Sequence, residues 1–142
     1  MNDWYQKELL HFAADNGDLN KVKDLVESGY DVNVFDDSLS FTPLHFAVKG
    51  EHFEVVKYLL SVGADVNAHE EEKVGETPLG AVAANCSYAM AEVLVTAGAN
   101  PTIPGWMQLT ALHRASDRKK EEGRRVYDLL VKTAKKKFHC EA

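Results

Sequence analysis

The segment Thr42-Pro43-Leu44-His45-Phe46-Ala47 decides the fold of this chain, because similar segments return along it at a nearly constant spacing. Four leucines share one position of the segment and lie 34, 35 and 33 residues apart: Leu10, Leu44, Leu79 and Leu112. A second set of equivalent residues repeats at 34 and 35 residues: Gly29, Gly63 and Gly98. A period of this length is typical of a solenoid, in which each repeat is one supersecondary unit.

Each copy has the pattern of two short helices and a turn. Thr42 is a good N-cap, and Pro43 suits the first helical position because its missing N–H would have no partner there. Lys49-Gly50-Glu51 breaks this helix, and apolar spacing predicts a second helix from about Phe53 to Leu60. Gly63 stands where a left-handed residue ends a helix. Because such short helices are marginal alone, each must pack on its neighbours, and we predict an all-α repeat solenoid.

The second copy resembles an ankyrin repeat almost letter for letter, through Thr42-Pro43-Leu44-His45-x-Ala47, Glu54–Leu60 and Gly63–Ala68. The resemblance covers about Glu8 to Lys132. It implies four repeats in one domain, with helix-turn-helix pairs joined by β-hairpin-like loops. The expected domain is 1–142, and its repeats are about 5–37, 38–72, 73–105 and 106–138.

The first and last copies depart from the pattern, as terminal units of a stack should, since they need one polar face. Glu8-Leu9 replaces Thr-Pro in the first copy, and Ala111 replaces Pro in the fourth. The third copy has Gly80 in place of the motif histidine. The resemblance implies that this histidine hydrogen-bonds the motif threonine and a neighbouring backbone carbonyl. The expected structural motif residues are Thr42, Pro43, His45, Thr77, Pro78, Thr110 and His113.

Charge is divided unevenly along the chain, whose formal net charge is −6. Residues 1–100 contain 6 Lys and Arg against 17 Asp and Glu, whereas residues 101–142 contain 10 against 5. An acidic body favours a basic partner and repels phosphate, although acidic surfaces also serve solubility alone. The lysines within Lys132–Lys137 complement a helix dipole, so we expect no nucleic-acid binding.

Composition predicts a protein of the cytoplasm. Apolar runs are far shorter than the ~20 residues of a membrane span, and residues 1–8 lack the basic and apolar regions of a signal peptide. We therefore expect no membrane contact. The two cysteines, Cys86 and Cys140, are too few for a disulfide framework, which favours a reducing compartment.

No set of residues predicts an enzyme, a metal site or a cofactor. His11, His45 and His113 lie a repeat apart, which is roughly the ~10 Å between packed helices and too far for one metal ion. Glycines are scattered as turn residues and form no phosphate loop. We expect no catalytic residue and no cofactor.

Candidate partner-binding residues lie in the loops between repeats, here called the first tip (residues 34–41), the second tip (68–74) and the third tip (102–109). Acidic and aromatic side chains on a loop are typical of a binding hot spot, although the apolar ones could instead pack beneath their own loops. The tip candidates are Asp36, Asp37, Phe41, Glu70, Glu71, Glu72, Trp106 and Met107. The resemblance implies that partners also dock on a concave helix face, where the candidates are Asp15, Asn16, Lys49, Asn85 and Arg118.

The resemblance implies a protein–protein interaction module that is monomeric when unbound. Small stand-alone ankyrin-like proteins serve as inhibitors in bacteria. We therefore expect a bacterial antidote or inhibitory subunit that masks a basic partner such as a toxin or nuclease. The alternative is a general scaffold with several weak partners.

Overall fold

The computed structural model describes residues 8–70 and 75–138. Glu71 and Glu72, two of the second-tip candidates, lie outside the described residues. The α-helices are numbered here in chain order: α1 Leu9–Asn16, α2 Leu19–Glu27, α3 Pro43–Lys49, α4 Phe53–Ser61, α5 Pro78–Val82, α6 Tyr88–Thr96, α7 Ala111–Ser116 and α8 Glu121–Lys137. The predicted all-α repeat solenoid is confirmed.

Helix α3 begins at the N-cap that the sequence predicts, and α5 and α6 begin at residues of the same kind. Thr42 and Thr77 have extended backbones directly before the prolines that open α3 and α5. The Thr77 hydroxyl accepts from the Gly80 N–H at 2.9 Å. Ser87 does the same for Met90 at the start of α6, at 3.1 Å. Each contact satisfies a backbone donor that lacks an intrahelical partner.

Glycine closes each of the first three repeats for a conformational reason. Gly29, Gly63 and Gly98 follow α2, α4 and α6, and all three have φ of 102°. A Cβ at these positions would meet no atom within 4 Å. Space is therefore free, and the left-handed backbone is what favours glycine.

The core runs the length of the stack between two rows of helices. The first helices of the pairs, α1, α3, α5 and α7, contact one another in chain order and form the first-helix row. The repeating leucines Leu10, Leu44 and Leu79 are at most 1% exposed. Leu59, Leu94 and Leu130 of the second helices are fully buried against them. Each repeat therefore lacks a complete core until its neighbour covers it.

Asparagine side chains join the ends of successive repeats. Asn33 donates from Nδ2 to the Gly63 carbonyl at 3.1 Å, and its Oδ1 accepts from the Asp65 N–H at 2.7 Å. Asn67 makes the same pair of bonds to Gly98 and Asn100, at 3.1 and 2.7 Å. Each amide therefore satisfies two backbone groups of the next repeat.

The loops between repeats differ from the expected β-hairpin-like form. Among the described residues, backbone bonds across the loops run from the Asp36 N–H to the Phe41 carbonyl at 2.8 Å, from Gly75 to Glu70 at 2.9 Å, and from Gly105 to Leu109 at 2.9 Å. These bonds form no ladder, and residues 8–70 and 75–138 contain no β-strand. Side-chain contacts therefore contribute to the shape of the first and third tips.

Leu44→Ala should lower the free energy of unfolding by about 2–5 kcal/mol, because it leaves a cavity between neighbouring repeats. Leu39→Ala is the matched control, since Leu39 is 52% exposed and should change stability by less than about 0.5 kcal/mol. Urea unfolding followed by circular dichroism measures both. Equal stability of the two variants would contradict the packing described here.

Candidate partner-binding surface

The motif histidine of the second repeat is a structural link between repeats. His45 Nδ1 accepts from the Thr42 N–H at 2.9 Å, and Nε2 donates to the Glu76 carbonyl at 2.6 Å. Burial lowers the pKa of His45 to about 4, so the ring is neutral near pH 7. The neutral tautomer with its proton on Nε2 fits both contacts.

The other motif histidines keep parts of this arrangement. His11 Nε2 lies 2.8 Å from the Val34 carbonyl and 3.1 Å from that of Phe41. Its Nδ1 is buried and has no hydrogen-bond partner among the described residues. In this repeat Glu8 stands at the position of the motif threonine, which is the residue that contacts Nδ1 in the second repeat. His113 Nδ1 accepts from the Thr110 N–H at 3.0 Å.

The first tip is organised by a buried carboxylate. Asp36 is 5% exposed, and its Oδ1 accepts from the N–H groups of Leu39 and Phe41, both at 3.0 Å. Phe41 is 9% exposed and stacks on the His45 ring with centroids 4.6 Å apart. Asp36 and Phe41, which the sequence predicts to contact a partner, are therefore both buried and used inside the protein. Asp37 is exposed.

The second tip is described only in part. Glu70 is half-buried, and the Gly75 N–H donates to its carbonyl. An open groove of about 480 Å³ lies between this tip and the third; His69, Gly75, Thr102, Ile103, Pro104, Gly105 and Gln108 line it.

The third tip presents the two most exposed large apolar side chains among the described residues. Trp106 is 61% exposed and Met107 is 66% exposed. Both belong to a tight turn, Trp106–Gln108, in which Met107 and Gln108 have φ of 59° and 61°. Both side chains therefore point outward from a turn whose backbone conformation L-residues rarely adopt.

Glu76 and Arg114 lie beneath the third tip, and the sequence interpretation missed both. Glu76 Oε1 accepts from the Trp106 N–H at 2.8 Å and from Arg114 Nη2 at 2.7 Å. The sequence signal that could have indicated them was Gly80. Because glycine replaces the motif histidine there, the space beside the motif threonine is left free for another side chain.

The first-helix row carries a second set of missed residues. Phe12, Phe46, Ala81 and Arg114 all stand at the variable position after the motif histidine or its replacement, so they recur at the repeat spacing. Phe12 is 41% exposed, and the other three are partly exposed. Because equivalent positions of a solenoid face the same way, these residues form an aromatic-to-cationic series along the stack.

The expected concave candidates lie at or just beyond the C-terminal ends of the first helices. Asp15, Asn16, Lys49 and Asn85 are exposed. Arg118 is half-buried, and its Nη1 donates to the carbonyls of Cys86 at 2.8 Å and Ala83 at 3.4 Å. The guanidinium of Arg118 is therefore engaged with the backbone that follows α5.

Acidic side chains dominate the exposed surface of the first three repeats. Within residues 8–70 and 75–100, nine Asp and Glu residues are exposed against four Lys residues. In the described chain, no cluster of three His, Cys, Asp or Glu side chains is placed to hold a metal ion. No helix among these residues is long and apolar enough to cross a membrane.

Comparison with known proteins agrees with the geometry. A family model described as ankyrin repeats in three copies matches residues 10–105, which is more than half of the chain. A search of curated proteins finds no match. Helices α7 and α8 lie beyond the matched range, but the cap formed by Thr110 and His113 repeats the arrangement of Thr42 and His45.

Asp36→Ala should lower the free energy of unfolding by about 1–3 kcal/mol, since two backbone donors of the first tip lose their acceptor. Asp36→Asn should be milder because its amide oxygen still accepts. Urea unfolding measures both variants. Wild-type stability of Asp36→Ala would contradict the proposed role of this carboxylate within the tip.

Acidification should destabilise the fold through His45. Its pKa is about 4 when folded, below the ordinary 6.5, so the unfolded chain binds more protons between these values. The free energy of unfolding should therefore fall as the pH drops from 6.5 to 4, by up to about 1.4 kcal/mol per pH unit from this group. Burial also lowers the pKa of His11, which adds in the same direction.

The measurement for His45 is urea unfolding at several pH values, with His45→Gln as the comparison. The variant should depend less steeply on pH between 4 and 6.5. Parallel pH profiles for the two proteins would show that this ring does not contribute.

Proposed function

The chain belongs to the ankyrin-repeat family, whose members are generally protein–protein interaction modules, and we propose that it binds a basic protein partner through the three tips and the first-helix row. The partner meets it in the cytoplasm, and binding masks the partner's surface. On this proposal the chain is an antidote or inhibitory subunit.

The observation that carries this proposal is the exposure of Trp106 and Met107 on one tip. Aromatic residues and Met are enriched at protein interfaces, and Trp is among the residues that dominate binding energy. Among residues 8–70 and 75–138, packing gives no reason for two large apolar side chains to be more than 60% exposed. Burial of both against a partner removes this apolar surface from water.

Charge determines the preferred partner. The exposed acids of the first three repeats outnumber the exposed lysines, and Asp37 and Asp15 belong to this set. A basic protein is attracted to such a surface, and complementary charge raises the association rate. The partner surface therefore combines basic residues with an apolar recess for the third tip.

The first-helix row contributes aromatic side chains to the proposed binding surface. Phe12 is exposed, and Phe46 is partly exposed with its ring edge against Phe41 at a centroid distance of 5.6 Å. Lys49 Nζ lies 5.1 Å from the same Phe41 ring. Aromatic contacts limit the mobility of Phe46, which reduces the entropy that binding costs.

Partner capture from cells that encode the protein tests the proposal. The wild-type chain should retain one dominant basic protein. Trp106→Ala with Met107→Ala should weaken the purified complex by at least about thirtyfold, because truncating a hot-spot residue costs about 2 kcal/mol or more. Isothermal calorimetry measures the affinity.

A second pair of variants tests the electrostatic part. Asp37→Lys with Glu70→Lys should weaken binding and reduce its salt dependence. Glu92→Lys is the control, since Glu92 is an exposed residue of α6, which does not belong to the first-helix row. Unchanged affinity in both the charge and the apolar variants would reject this surface, and capture of many weak partners would indicate a scaffold instead.

A further inference from the structure

We propose that Glu76 is a positioning residue, which holds the third tip so that Trp106 and Met107 are presented to a partner in a fixed arrangement. The inference rests on the proposed function for its biological purpose. The positioning itself is a property of the unbound chain and depends on contacts between three repeats.

Two glycines make room for the Glu76 carboxylate. A Cβ at Gly80 would lie 2.8 Å from Glu76 Oε2, and a Cβ at Gly105 would lie 2.6 Å from the same oxygen. In the second repeat the corresponding space beside the motif threonine holds the imidazole of His45, whose Nδ1 is 2.9 Å from the Thr42 hydroxyl. The carboxylate of the third repeat therefore takes up space that a motif histidine would use.

The contacts of the carboxylate connect it directly to the tip. Glu76 Oε1 accepts from the Trp106 N–H at 2.8 Å and from Arg114 at 2.7 Å. Arg114 Nη2 also lies 3.4 Å from the Trp106 carbonyl. Both peptide groups of Trp106 are thus close to this ion pair, whose side chains are only 16% and 23% exposed. Charge-assisted bonds in such surroundings are stronger than neutral ones.

The tip needs this external contact because its own backbone is strained. Met107 and Gln108 are consecutive non-glycine residues with positive φ. Such a conformation is unfavourable for L-residues and persists only where surrounding structure holds it. Within the tip, the Gln108 N–H donates to the Gly105 carbonyl at 3.0 Å, and Gly105 N–H donates to Leu109. Glu76 Oε1 adds an acceptor for the N–H of Trp106, which lies between Gly105 and Gln108.

Glu76 also links the tip to the rest of the stack. Its backbone carbonyl accepts from His45 Nε2 of the second repeat at 2.6 Å, while its side chain reaches Trp106 and Arg114 of the fourth. In the first tip, by contrast, Asp36 supplies the acceptor from within the loop. A tip that is ordered before binding loses less entropy on association, which favours a tighter complex.

The test compares Glu76→Ala, Glu76→Gln and wild type in a Trp4→Phe background, so that Trp106 is the only tryptophan. Amide hydrogen exchange followed by NMR reports the Trp106 N–H, and fluorescence anisotropy reports the mobility of its ring. In Glu76→Ala the Trp106 amide should exchange about tenfold faster, the size expected for one lost charge-assisted bond. Anisotropy should fall as well.

The other variants separate positioning from a general loss of stability. Glu76→Gln keeps an acceptor oxygen for the Trp106 N–H but loses the ion pair with Arg114, so it should give an intermediate exchange rate. Glu92→Ala removes an exposed carboxylate from α6 and should leave the Trp106 amide unchanged. The amides of Val126 and Leu130 in the buried part of α8 should keep their wild-type rates in all variants.

Wild-type exchange and anisotropy in folded Glu76→Ala would overturn the inference, as would equal acceleration at Trp106, Val126 and Leu130. If Glu76→Ala does not fold, Glu76→Gln decides, because unchanged exchange and anisotropy of Trp106 there would also overturn it. The unbound chain is measured throughout, so failure to bind a partner does not affect this result. A loosened tip with unchanged partner affinity would instead reject the proposed role of the tip in binding.

Discussion

Each repeat of this protein completes its hydrogen bonding with atoms of the next repeat. The His45 imidazole, the Asn33 and Asn67 amides and the Glu76 carboxylate all satisfy backbone groups in the neighbouring unit. The first helices contain only 5–8 residues, too few to be stable alone. Contacts between repeats therefore create both the fold and the shape of the surface that we propose for partner binding.

This constraint explains why the three tips differ although the repeats resemble one another. Few backbone bonds cross the described parts of the tips, so the shapes of the first and third tips depend on which side chain supplies further acceptors. Asp36 does so from inside the first tip and becomes buried, whereas Glu76 acts on the third tip from the preceding repeat. The side chains of Trp106 and Met107 remain exposed in consequence.

Much of the fold followed from local signals. The pair Thr42-Pro43 marks the start of a helix through its own capping preferences. Gly63 marks the end of a helix because its left-handed backbone excludes most other residues. The site was less predictable. Glu76 is separated from Trp106 by 30 residues, so no local pattern joins them. Asp36 and Asp37 are adjacent and chemically identical, yet one is buried and one is exposed.

The sequence by itself determined the repeat period, the helix pairs and the uneven charge, because these depend on spacing and composition, and its resemblance to ankyrin repeats implied the structural role of the motif histidines. Only the tertiary structure decided which polar side chains turn inward. Asp36 and Arg118 do so because backbone donors and carbonyls need partners, and the direction of those groups is set by how the repeats stack. The same stacking brought Glu76 and Arg114 beneath the third tip, where Gly80 leaves room for a carboxylate.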